Sequence, residues 1–177
     1  MRIRNLVLGM CMSSAVLFAS CDKDDVHTAD GKSINATDQQ FAMMVSMGNQ
    51  SEIELGQLAA TKATNESVKA YGLLMVVEHT PVGLELDSIA GSVNLSTPDT
   101  LDAEHKVLKQ TLTGLSGKAF DTTYMSSQVT DHQKMISVFE NEAANGANTR
   151  LKDFANRHLP NLRVHLQRAD SIRNVTK

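Results

Sequence analysis

The chain has no tryptophan, three prolines and two cysteines, and each scarcity closes off an option. Cys11 lies inside a short apolar stretch near the N-terminus, and Cys21 follows it after Ala19 and Ser20. Once a leader ending before Cys21 is removed, no cysteine remains available for a disulfide, a thiolate metal site or a nucleophile. Stability then has to come from packing. With five phenylalanines and two tyrosines in all, that packing leans on aliphatic side chains and methionine. No stretch alternates apolar and polar residues over the length of a strand, so the class is all-α. There is no glycine-rich phosphate loop, no Gly-x-Ser-x-Gly elbow and no His-Glu-x-x-His. Basic residues number 17 against 20 acidic ones and form no patch, which excludes nucleic acid as an expected partner.

What is present begins with a leader. Residues 1–20 read as a bacterial secretion signal: Arg2 and Arg4 are the positive end, Leu6 to Phe18 the apolar run, Ala19 and Ser20 the small residues before the cleavage point. The run is too short to serve as a permanent membrane span. Leu17-Phe18-Ala19-Ser20-Cys21 resembles a lipoprotein signal box, which implies that Cys21 carries the lipid and holds the chain to a membrane. The acidic run Asp22-Lys23-Asp24-Asp25 is similar to the export signal on surface lipoproteins of Bacteroidetes-type bacteria. The expectation is an exported, outer-membrane-anchored lipoprotein, facing the periplasm or the outside. Residues 21–37 are polar and predict a flexible tether in which His27 is solvated. Residues 38–175 form the remaining domain.

Within that domain apolar residues recur at steps of three and four. Helix A is expected from about Asp38 to Lys62, capped by Thr37 with Gln40 three residues on. Helix B runs from Glu66 to about Ala90 with Asn65 as its cap, and Pro81 predicts a kink or break just after His79. A Gly/Ser/Asn/Pro linker and a weaker helical segment, Asp99 to about Leu115, come next. Helix C takes Lys118–Asn145 and helix D runs from Arg150 towards Arg173, where Pro160 predicts a bend or a late start. Short A–B and C–D turns with a long B–C connection suggest a four-helix bundle whose long crossover carries a short extra helix.

Several stretches together resemble one known family. They include Glu52-Ile53-Glu54-Leu55-Gly56-Gln57-Leu58-Ala59, Met75-Val76-Val77-Glu78-His79, Leu115-Ser116-Gly117-Lys118-Ala119-Phe120-Asp121, Asp131-His132 and Leu159-Pro160-Asn161-Leu162-Arg163-Val164-His165. Their order over residues 38–170 resembles the bacterial family known as domain of unknown function 4142, which is ferritin-like. The resemblance implies a ferritin-like four-helix bundle and export, with no settled activity. Pro81 departs from that pattern, whereas Pro160 fits it.

Chemistry, if any, rests on histidines in the helical stripes. A di-iron centre needs Glu-x-x-His pairs on two helices, but the residues three before the stripe histidines are Val76, Val129, Ala155 and Leu162. Within residues 38–175, Asp102-Ala103-Glu104-His105 is the sole carboxylate-x-x-His and has no matching partner. A leaner metal site survives, in which His79, His132 and His165 come from the middles of three helices and Glu52 or Glu54 from helix A, with His158 as a further ligand. Zinc, copper or iron suits such a set. Glu78 and Asp131 each precede a histidine, point about 100° away on a helix and are read as supporting or surface groups. Met44, Met47, Met75, Met125 and Met135 invite copper, although methionine is equally a filler of cores. The alternative for the histidines is a neutral imidazole layer satisfied by carbonyls or carboxylates, with no metal. Function stays open between a binding or envelope-protective bundle without enzymatic activity and a metal-binding protein.

Overall fold

The computed structural model describes residues 33–176; the leader, Cys21 and residues 21–32 lie outside the described residues. Five helices and no strand occur among them: α1 (Ala36–Lys62), α2 (Glu66–Ser92), α3 (Ala103–Gly114), α4 (Gly117–Asn145) and α5 (Thr149–Thr176). The four long helices form an antiparallel bundle, in which α1 packs closely on α2 and α4 on α5. The α1–α4 and α2–α5 seams close the square. The short α3 lies in the long connection between α2 and α4 and touches α1 and α4. The all-α bundle with an extra helix in its crossover is therefore the observed fold.

Helix ends differ in detail from the sequence reading. The cap of α1 is Asn35 rather than Thr37: its side chain accepts from Asp38 N at 3.0 Å, and Asp38 Oδ2 accepts from Asn35 N at 2.6 Å. This capping box places Thr37 inside the helix. Asn65 caps α2 as expected, and Asp102 caps α3. Neither proline breaks its helix; α2 runs through Pro81 and α5 through Pro160. A proline removes the donor for the carbonyl four residues earlier. Here those residues, Val77 and Asn156, are exposed, so water can take the place of the lost bond.

Two apolar clusters fill the bundle. One joins Leu55, Val68, Tyr71, Met75, Phe120 and Met125, and the other joins Phe41, Val45, Leu86, Phe139, Leu151 and Phe154. Fully burying a Leu or Phe side chain is worth about 1.5–3 kcal/mol, so the clusters carry the fold. Between them lies a layer with polar side chains from all four long helices. At the first of these clusters α1 and α2 approach so closely that a Cβ on Gly56 would stand 2.6 Å from Gly72 O, and one on Gly72 2.7 Å from Gly56 O. Only glycine fits at that crossing.

Candidate metal centre

The polar layer is built around three imidazoles. His79 from α2, His132 from α4 and His165 from α5 are all buried, with ring centroids 6.1 Å (His79–His132), 5.5 Å (His79–His165) and 5.4 Å (His132–His165) apart. One nitrogen can be taken from each ring so that all three lie within 4.8 Å of one another. Four-coordinate zinc, with nitrogens about 2.0–2.1 Å away, holds them roughly 3.3 Å apart. Closing the set therefore takes small ring movements, not a helix shift.

Each ring has one nitrogen engaged and the other bare. His132 Nδ1 donates to the carbonyl of Gln128, one turn earlier, at 2.9 Å. His79 Nδ1 lies 3.0 Å from Asn49 Oδ1 on α1. His165 Nε2 lies 2.8 Å from Glu78 Oε2 on α2. In all three the partner is an acceptor, so the bound nitrogen carries the proton and the other ring nitrogen presents its lone pair. Those other atoms, His79 Nε2, His132 Nε2 and His165 Nδ1, are buried without a partner. Metal-bound histidines have this arrangement, in which the distal N–H is fixed by a carbonyl, amide or carboxylate.

The electrostatics favour neutral rings. Burial lowers His79 well below the ordinary imidazole value, and the neighbouring His132 and His165 lower it further. Burial also lowers His132 and His165, outweighing the upward pull of the Gln128 carbonyl and the Glu78 carboxylate respectively. Neutral imidazole is the form that binds a metal.

The expected carboxylate ligands fall elsewhere. Glu54 turns away to Lys109 Nζ at 2.7 Å and Gln50 Nε2 at 2.8 Å, because it lies two residues from Glu52 and so on another side of α1. Glu52 does line the cavity beside the rings. Its Oε1 is 3.7 Å from His132 Nδ1, the engaged nitrogen, so it stands behind that ring. Burial and then the Asp131 charge push its carboxyl up to about 8. His158 also lines the cavity but is held by Glu85, Nε2 to Oε2 at 2.9 Å. Of the five methionines considered, Met135 alone borders the cavity, and Met75 and Met125 pack in the apolar cluster.

Residues not legible as partners in the sequence complete the layer. Asn49 fits where it does because Gly83 faces it; a Cβ there would stand 2.6 Å from Asn49 Nδ2. Tyr71 Oη donates to His165 O at 3.3 Å and ties α2 to α5. His105 is buried on α3, with Nδ1 2.9 Å from Asp102 Oδ1 and Nε2 3.5 Å from Asp131 Oδ1. Burial opposes its charge, yet the Asp131 and Asp102 carboxylates prevail and raise it to about 9. Asp131, expected as a supporting group, thus supports His105 rather than the three-ring cluster.

The cavity beside the rings measures about 40 Å³ and is otherwise walled by Val45, Val82, Phe139 and Leu162. That is room for a bound ion together with a water or similarly small ligand. No helix among the described residues is long and apolar enough to cross a membrane. No curated protein and no solved structure matches the chain. The sequence model of one family, described as a domain of unknown function (DUF4142), matches residues 24–172, and the chain belongs to that family.

Proposed function

We propose that this protein is an exported, lipid-anchored helical bundle that binds one transition-metal ion through His79, His132 and His165. The observation that carries the reading is the uniform state of the three rings, each with one nitrogen fixed and one bare in a single buried layer. A buried polar atom without a partner costs about 1–3 kcal/mol, and each of the three rings of this layer carries one. A cation relieves all three at once. With no thiolate in the set and neutral nitrogen donors, zinc, copper(II) or ferrous iron is the chemistry that fits.

Glu52, Asn49 and Glu78 act on the rings rather than on the ion, holding orientation and local charge. The small cavity and its apolar walls favour holding an ion over turning over a large substrate. The role is binding or protection at the envelope, with Cys21 as the anchoring residue. Elemental analysis of the untagged chain beginning at Cys21, after loading with each metal and desalting, tests the centre. About one ion per chain is expected, and the ion should be lost in His79→Ala, His132→Ala and His165→Ala. Less than about a tenth of an ion per chain overturns the reading. Fatty-acid labelling of the full chain in a bacterial host, lost in Cys21→Ser, tests the anchor separately.

A further inference from the structure

The three rings are buried, so an ion needs a way in. Of the cavity's lining, every α1 and α4 residue is buried except Met135, whereas Glu78, Val82, His158 and Asn161 on α2 and α5 reach the surface. The cavity therefore opens along the α2–α5 seam, which is also the most sparsely packed of the four side-by-side helix pairs.

Two glutamate–histidine rungs cross that seam in the same antiparallel register. Glu78 meets His165 and, seven residues further along α2 and seven back along α5, Glu85 meets His158, at 2.8 and 2.9 Å. The inner rung holds a ring of the centre. The outer one holds a partly exposed imidazole on the lining of the same cavity, with Arg157 also on Glu85. Pro81 and Pro160 fall on the same two helices at the level of these rungs, each two residues after a histidine that lines the cavity. Each removes one bond from its helix ladder, so the walls of the opening are locally less stiff than the rest of the bundle.

Resting on the metal-binding reading, we infer that the α2–α5 seam is the passage by which a divalent transition-metal ion enters and leaves the centre, with His158, held by Glu85, as the outer ligand that takes the ion in transit. A group that touches the ion only on the way lowers the barrier in both directions and leaves the equilibrium where it was.

The experiment follows cobalt(II) uptake by the full chain from Cys21 in stopped flow, and its extraction by a chelator, beside the equilibrium affinity. His158→Ala and Glu85→Gln are expected to slow uptake and extraction alike, by about tenfold or more, with affinity changed less than about threefold. Asn161→Trp, an addition at an exposed position, plugs the mouth and slows both rates even where His158→Ala perturbs packing. Glu140→Gln, an equal change of charge on the α4–α5 face, leaves both rates alone. Wild-type rates in both His158→Ala and Asn161→Trp overturn the passage. So does a fall in affinity at an unchanged uptake rate, which makes His158 a resident ligand, or equal slowing by Glu140→Gln, which makes the effect general charge attraction. Failure of the wild-type chain to bind cobalt, zinc or copper at equilibrium is a different result and removes the centre itself.

Discussion

Asp38 at one end of the bundle and Asp121 at the other commit their carboxylates to the backbone of a turn, whereas His79, His132 and His165 at mid-height each keep a nitrogen uncommitted. Asp38 accepts from Asn35 N, Ala147 N and Asn148 N, tying the start of α1 to the α4–α5 turn. Asp121 accepts from Thr64 N, Thr64 Oγ1 and Asn65 N, tying α4 to the α1–α2 turn. All these groups are buried or nearly so, and they differ in what is left over. Both oxygens of Asp38 and both of Asp121 are engaged, and there the polar group serves order. In the middle one lone pair per ring remains, and the polar group serves a guest.

The largest expected effect is at the ends. Asp38→Ala or Asp121→Ala strands several backbone N–H groups and should cost about 3 kcal/mol or more in urea unfolding. The middle should behave in the opposite way. His132→Leu removes an unsatisfied polar atom and keeps an apolar body, so the metal-free protein should be at least as stable as wild type. The same variant should lose the stabilisation that metal gives wild type, about 2.7 kcal/mol at a hundred times the dissociation constant, read as a thermal shift. If metal-free His132→Leu is damaged as badly as Asp121→Ala, the contrast between ends and middle is broken.

A subtler effect sharpens it. Asn49→Ala and Glu78→Gln release the fixed nitrogens of His79 and His165, and each should weaken metal binding by about 10–100-fold in competition titration, with near-wild-type unfolding in the absence of metal. A pH-dependent effect belongs to Glu142, which burial and then the adjacent Asp38 raise from 4.5 to about 8. The folded state keeps this proton after the unfolded state has released its own. Its contribution is therefore complete below about pH 4.5, declines as pH rises towards 8 and is flat above. Glu142→Gln should flatten that part of the melting-temperature profile between pH 5 and 8.5.

Much of this was legible in the sequence because helical period is a strong signal. His79, His132 and His165 sit in stripes whose phase places them inward, and short turns make their helices neighbours. What period cannot supply is the height of one helix against another. Asn49 therefore gave no sign of meeting His79, and Glu52 could not be told from Glu54 until the α1 phase was fixed to within a fraction of a turn. Thr37 looked like a cap because local pattern favours it; Asp38, drawn to the far α4–α5 turn, moved the cap to Asn35. The prolines misled for a related reason, since their cost depends on whether the freed carbonyl reaches water, which is a property of the assembled surface.

The glycine pair where α1 and α2 nearly touch has a consequence well away from its own position. Backbone resting on backbone at Gly56 and Gly72 works as a detent, a notch that lets two rods lock at one longitudinal setting. Slippage by a single turn, about 5.4 Å, would carry Asn49 past His79 and leave that ring free to spin. The aim of an imidazole in the polar layer is thus set by two residues that have no side chain at all.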